Sequence, residues 1–462
     1  MFYVQLVALV AALGFFAWLG LRARHRVEGL DDYMTARNSQ GASTLGLSFL
    51  ASGMGAWILF APPEVGAFAG PVALAGYAIG SALPLLVFGW LGPAIRRNFP
   101  QGKSIGEFAQ ARFGTGLRRW ISAISVLYML CFLAAELTAI GSISTLLSDL
   151  NGNVVIIGVA VTTLAYTAWG GLRASLATDR WQGLLLLGLL VAVTLVDWDI
   201  LPQRTLSASM PSLPMSDALG VALTLILAVT AANLFHQGYW QRLWAAHDDR
   251  ALGQGAYLGA ATTVLVVALV GGLGMLAAMS GLALGQPPIP FFALLSKAPG
   301  WLEVVALVLA VTLVASSVDT LQNGIASLAV AERPGLSIGA ARWITVLLMV
   351  PVIAIALQGI SVLRLFLIAD LLCATAVLPV LMGLWTRVTP GAALAGIIAG
   401  LAGAVLPGWI VEGSLMESLY RASFPGGTPT LMPFAGALIA SGVATVLLSL
   451  RRQPSPATLG GP

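Results

Sequence analysis

Residues 165–182 read AYTAWGGLRASLATDRWQ. They join two long apolar runs through Gly170-Gly171, two arginines and the pair Thr178-Asp179, which opens the second run. Glycines let a backbone turn or approach where other residues would clash. An acid at a helix mouth places a carboxylate beside that turn. Backbone and carboxylate together suit a site that holds a cation, which makes Asp179 the first candidate functional residue.

Outward from this stretch the apolar pattern repeats to both ends. The 462 residues are 58% hydrophobic and only 9% charged, against roughly a quarter charged in a soluble domain. Apolar runs of about 20 residues, each able to cross roughly 30 Å of hydrocarbon, recur along the chain. The chain is therefore expected to be an all-α polytopic membrane protein, because helices close their own backbone hydrogen bonds and no alternating barrel pattern is visible. Cys131 and Cys373 lie inside apolar runs, so no disulfide framework or metal cluster is suggested. The net charge of +4 does not signal nucleic acid, since the bases lie in short connections. The first run has no basic segment before it and arginines after it, the mark of a retained helix rather than a cleaved signal.

Spans are expected near 3–21, 44–70, 72–95, 120–148, 153–169, 179–197, 217–238, 252–284, 302–330, 340–358, 362–385, 391–411 and 431–450, about thirteen in all. Of the 23 basic residues, only Arg204, Lys297, Arg364 and Arg421 fall on one side of this arrangement. The other side, which includes Arg242 at the inner end of the seventh span, is then cytoplasmic by the positive-inside rule. The expectation is an N-terminus outside and a C-terminus inside, in a plasma membrane of the bacterial inner-membrane kind. The outer loops 198–216, 285–301 and 412–430 read as covers or spacers. The tail 451–462 is short and polar, with no room for a sensor domain.

Two spans break their apolar pattern. The second carries Ser52-Gly53-Met54-Gly55 and later Pro62-Pro63, and the seventh turns polar from Thr230 to Asn233. Breaks free backbone carbonyls that lipid cannot satisfy, so they line a cavity or bind something. Broken spans at corresponding places in two halves point to an inverted-repeat transporter with a midplane site. Spans 2–6 and 7–11 would form the repeats. The ninth span carries Ser316 and Ser317 about halfway along, followed by Asp319, Thr320, Gln322 and Asn323. An acid near the bilayer centre costs about 2.5–3.5 kcal/mol on insertion scales and marks function by default. Oxygen ligands without His or Cys suit a hard monovalent cation.

The pattern Tyr166-Thr167-x-x-Gly170-Gly171-Leu172-x-Ala174, followed by Thr178-Asp179-x-x-Gln182, resembles the signature of the sodium:solute symporter family. Ala51, Ser52, Met54 and Trp57 resemble its first core helix, and Ser316-Ser317 the hydroxyl pair of its eighth. DDYMTARNSQG at 31–41, ARFG at 111–114, GYWQRLWAAHD from Gly238 and LPVLMGLWTRVTPGAALAGIIAG at 378–400 are similar to later and intervening family segments. The resemblance runs in order through nearly the whole chain.

It implies a LeuT-like 5+5 inverted-repeat core, in one transmembrane transporter domain over 1–462. Residues 1–43 would be a first helix and lead-in segment, 44–198 and 217–385 the two repeats, 386–450 two peripheral helices and 451–462 the tail. It implies a sodium site made by the backbone carbonyls of Ala51, Met54 and Leu313 and the hydroxyls of Ser316 and Ser317, with Asp179 nearby. Some relatives hold a second sodium near that aspartate; the corresponding positions here are Asp319 and Thr320. An acid replaces the usual hydroxyl at 319, so Asp319 is left to ligate sodium, take up a proton or neutralise an arginine.

Trp57, Tyr77, Ser81, Glu136 and Asn233 are candidates for the solute pocket. Glu136, where relatives often have glutamine, reads equally as a hydrogen-bonded tie between helices. His236 reads as an interfacial or packing residue, and Asp370 equally as an ion-pair partner of Arg364 or as a functional acid. The resulting expectation is a sodium-coupled secondary symporter that imports a small polar organic solute by alternating access. The alternatives are a proton-coupled carrier on the same fold, titrating at Asp319 or Glu136, and a membrane solute sensor that does not transport. No enzyme, cofactor or metal other than the sodium ion is read from the sequence; the partners are the solute, sodium and the lipid bilayer.

Overall fold

The computed structural model describes residues 2–23, 30–148, 150–194, 213–284, 289–295, 299–332, 336–358, 362–424 and 430–450. In chain order the helices are α1 Phe2–Ala23, α2 Leu30–Thr35, α3 Ala42–Gly53, α4 Ala61–Asn98, α5 Ile105–Phe113, α6 Thr115–Leu147, α7 Gly152–Thr194, α8 Met215–Asn233 and α9 Gln237–Ala245. There follow α10 Asp249–Met279, α11 Pro290–Leu295, α12 Gly300–Glu332, α13 Ile338–Ala356, α14 Val362–Leu381, α15 Pro390–Glu412, α16 Leu415–Ala422 and α17 Leu431–Leu450. Eleven of the described helices are long and apolar enough to cross a membrane. The chain is a multi-pass, all-α membrane protein.

The expected boundaries between the second and third spans and between the fifth and sixth fall at kinks inside α4 and α7. Residues 44–70 are split among α3, a 3-10 turn at Ala56–Leu59 and the start of α4, and α4 itself kinks at Gly70. Residues 152–194 form one helical run, α7, bent at Gly171 instead of separated by a loop.

That bend explains the glycine. Gly171 has φ 57° and ψ −149°, a conformation closed to side-chain-bearing residues. A Cβ there would also sit 2.4 Å from the Tyr33 carbonyl oxygen. The bend exposes carbonyls, and those of Ala168 and Trp169 find donors, as buried backbone requires. The Tyr33 hydroxyl donates to Ala168 O at 3.1 Å. Arg342 of α13 donates to Ala168 O at 2.7 Å and to Trp169 O at 3.2 Å. Arg173 pairs with Asp32 at 2.6 Å. The lead-in segment and α13 thus clamp the turn that opens onto Asp179.

The two expected breaks are present. The ladder of α3 stops at the Met54 N–H, which bonds Leu50 O at 3.0 Å, and Met54 is extended. The seventh span is interrupted at Leu234–His236, between α8 and α9. There the Trp240 indole donates to Leu234 O at 2.8 Å and Ser125 to Phe235 O at 2.7 Å. α9 is buried along its whole length, which corrects the reading of Arg242 as a cytoplasmic loop base: its side chain is fully enclosed.

α12 is the central helix, buried through nearly all of Leu302–Val330 and packed against α7, α6, α1, α13 and α9. Of the outer loops, 285–301 contains α11, whose Phe292 ring lies 5.3 Å from Phe60, and 412–430 contains α16. Most of 198–216, and the tail 451–462, lie outside the described residues.

Candidate functional site: a buried charge cluster beside a broken helix

Ser175, Thr178, Asp179 and Gln182 recur at three- and four-residue spacing, which places them on one face of α7. That face meets α12. All four residues are buried. Asp179 Oδ1 accepts from Ser316 at 2.9 Å. Its Oδ2 accepts from Ser48 at 2.6 Å and lies 3.2 Å from the Ser52 hydroxyl.

The same Oδ2 is 2.7 Å from Arg242 Nη2, in an ion pair with neither side chain exposed. Arg242 also donates through Nε to Ser48 at 2.7 Å, through Nη1 to Gly238 O at 2.7 Å, and through Nη2 to Ser52. The guanidinium therefore ties α9 to α3 and α7 in a single knot. Sequence reading missed this role. The signal for it was Gln241-Arg242 inside a stretch otherwise rich in aromatic residues, with Ser48 one turn before Ser52.

Asp319 sits one turn beyond Ser316 in a cage of hydroxyls. Tyr166 donates to its Oδ2 at 2.7 Å and Ser175 to its Oδ1 at 2.7 Å. Thr178 Oγ1 lies 3.1 Å from Oδ2. Among the described residues no arginine pairs with it, so the arginine-neutralising option is set aside. Thr320 Oγ1 is 3.4 Å from Asp319 Oδ1 and 3.3 Å from Arg242 Nη2. The guanidinium puts positive charge against that side, so a second cation at Asp319 would face Tyr166, Ser175 and Thr178 rather than Thr320. With both carboxylates ionised, this buried cluster holds two negative charges and one positive.

Ser317 Oγ is buried and has no hydrogen-bond partner among the described residues. Ser316, one residue earlier, is already engaged with Asp179. The broken end of α3, with Ala51 and Met54, packs on α12. An unpartnered hydroxyl on α12, the helix against which the broken α3 packs, fits an oxygen-coordinated cation.

Of its two expected places, Glu136 takes that of a tie between helices. It caps the second half of the broken helix, accepting from the Ala56 N–H at 2.5 Å. Gly55 makes this approach possible, since a Cβ there would lie 1.9 Å from Glu136 Oε1. The residue ties helices and is absent from the lining of the cavity described next. A specific result follows. Glu136→Gln, which keeps an acceptor, should unfold near the wild-type temperature, whereas Glu136→Ala leaves a buried N–H unpaired and should cost about 1–3 kcal/mol. Thermal unfolding in detergent reads this; equal losses for both variants would mean that the charge itself is needed.

A cavity of about 1210 Å³ opens beside the break. Its walls include Trp57, Tyr77 and Asn233, three of the expected pocket residues, and Tyr128, Phe132 and Phe366. Trp57 and Tyr77 pack ring on ring at 5.5 Å. Ser81 is buried elsewhere and does not line it. Leu146, Asn151 and Asn153 place the cavity toward the α6–α7 junction, at the opposite end of α6 from Arg118 and Arg119. His236 packs between Tyr239, 4.7 Å away, and Tyr128, as expected of a packing residue. Asp370 lines the cavity; the Arg364 side chain lies outside the described residues.

Residues 33–200, which contain the bend, Asp179 and the α3 break, match the profile of the sodium:solute symporter family. The spermidine transporter DUR31 of Candida albicans is 30% identical over 471 residues, covering 97% of this chain and 89% of that protein. The chain belongs to the sodium:solute symporter family. The fold of this symporter-family member is shared with solved transporters. A Na+-coupled sialic acid symporter, in a substrate-bound outward-open state with a novel Na+ site, superposes with a TM-score of 0.78 at 15% identity, covering 98% of each chain. Mhp1, a nucleobase-cation-symport-1 family transporter in a closed conformation with bromovinylhydantoin bound, gives 0.61 at 14% identity, covering 92% of this chain and 95% of that one. These neighbours have the LeuT fold, and this family member is a membrane transporter.

Proposed function

We propose that the protein is a sodium-coupled secondary symporter that imports a small polar organic solute by alternating access. One observation carries the reading: a buried cluster of two carboxylates and one guanidinium lies beside an unpartnered Ser317 hydroxyl and a broken helix. A sodium ion there would be held by the carbonyls of Ala51, Met54 and Leu313 and the hydroxyls of Ser316 and Ser317, oxygen ligands alone. It would also fix the break in α3, which borders the cavity through Gly53 and Trp57.

Ion and solute then share one wall, and each raises the other's affinity by the same factor. At 100 mV one inward cation contributes about 2.3 kcal/mol, roughly fiftyfold accumulation of a neutral solute. In the orientation with the N-terminus outside and the C-terminus cytoplasmic, in a bacterial inner membrane, the cavity faces outward. Rocking of the repeats 44–198 and 217–385 would close it. The name of the fungal relative supports an amine as one member of the solute class.

Ser317→Ala tests the ion site with little risk to folding, because among the described residues its hydroxyl makes no bond to lose. The sodium concentration for half-maximal uptake should rise at least about tenfold, as expected on removing a ligand to a charged group. An unchanged sodium dependence at equal surface expression would overturn the assignment.

A further inference from the structure

Two carboxylates that the ion site does not use face the cavity, Glu64 from the start of α4 and Asp370 from the middle of α14. Asp370 is only 8% exposed, and among the described residues it makes no hydrogen bond or ion pair. Six positions along a helix correspond to about 600° of rotation, so positions 364 and 370 lie on different faces of α14. Glu64 is half-buried and is likewise unpaired among the described residues. Among those residues, no lysine, arginine or histidine lines this cavity.

A buried carboxylate without a partner is costly in a membrane and persists where function needs it. The remaining wall is aromatic, with Trp57, Tyr77, Tyr128, Phe132 and Phe366, and ring faces attract ammonium groups. Tyr77 lines the same cavity as both acids. An anionic solute would meet repulsion from both, and a neutral one would leave both unbalanced.

We infer that the cavity selects a linear organic cation carrying two or more amino groups, with one ammonium on Asp370 and another on Glu64. This rests on the reading of the cavity as the solute site. The aromatic walls of the same cavity take the alkyl segment that joins the amines. A monoamine satisfies only one carboxylate, so the geometry favours diamines and polyamines over monoamines.

The test is binding to the full-length protein in detergent, with spermidine, putrescine, a simple monoamine and urea as probes. Spermidine and putrescine should bind, the monoamine at least about tenfold more weakly and urea not measurably. Asp370→Asn and Glu64→Gln, each isosteric, should each weaken spermidine at least about tenfold while barely altering the monoamine-to-urea order. Asp370→Glu should restore part of the affinity, which separates a charge effect from misfolding. Absence of amine binding by the wild type, equal binding of urea, or unchanged spermidine affinity in both neutral variants would overturn the inference. Amine binding that survives while uptake proves independent of sodium would instead overturn the coupling reading and leave this one standing.

Discussion

Asp179→Asn should destabilise the protein by about 3–5 kcal/mol, because it strands the fully buried Arg242 guanidinium without its counter-charge. The loss reaches beyond the pair. Arg242 joins α9 to Ser48 and Ser52 of α3, to Gly238 O and to Thr320, so an unbalanced charge there loosens the knot that holds both broken helices. Removing both partners together, in Asp179→Asn with Arg242→Met, should recover a large part of the stability while leaving transport abolished. Thermal unfolding in detergent, beside surface expression in cells, reads both outcomes. A single Asn variant as stable as the wild type would show that the pair does not hold the inner end of the site. The contrast with Ser317→Ala is the useful part: one substitution strikes the fold and the ion path together, the other the ion path alone.

The second large effect is expected at Asp319. Its carboxylate draws hydroxyls from Tyr166, Ser175 and Thr178 and, among the described residues, has no cationic side chain against it. A second sodium on that face would balance it. Asp319→Ser should then reduce the charge moved per solute by about one elementary charge and bring the Hill coefficient for sodium toward one, while the site at Ser316 and Ser317 still binds. Both quantities are measured in reconstituted vesicles at two pH values. Loss of a pH dependence instead would make the residue a proton carrier. No change in either quantity would leave Asp319 a structural acceptor for three hydroxyls.

The fold was legible because membrane helices announce themselves by length and composition, and because a break in an apolar run frees backbone groups that only a cavity or a ligand can satisfy. Both interrupted helices follow from residues at the breaks themselves, whereas the nearness of Asp179 to Ser316, 137 positions away, was implied only by the family resemblance. What escaped were partners distant along the chain. Arg242 lies between apolar runs, and counting such bases as loop residues hides one that turns inward. Glu136 caps Ala56 from eighty positions away, a relation no local pattern encodes. Asp370 lines the cavity, a placement that no local pattern around it encodes. Two of the expected span boundaries fall at glycine kinks, Gly70 in α4 and Gly171 in α7, where the chain changes direction without leaving the helical run.

In the proposed cycle sodium, entering down its gradient beside Ser317 and Asp179, drives the solute. The deciding measurement reconstitutes the full-length protein in vesicles, imposes an inward sodium gradient at about −100 mV, and follows labelled spermidine. Sodium coupling predicts accumulation above the level set by the potential alone, its collapse when internal and external sodium are equal, and no replacement of sodium by potassium. Accumulation driven by a proton gradient without sodium, or simple equilibration indifferent to either ion, would contradict it.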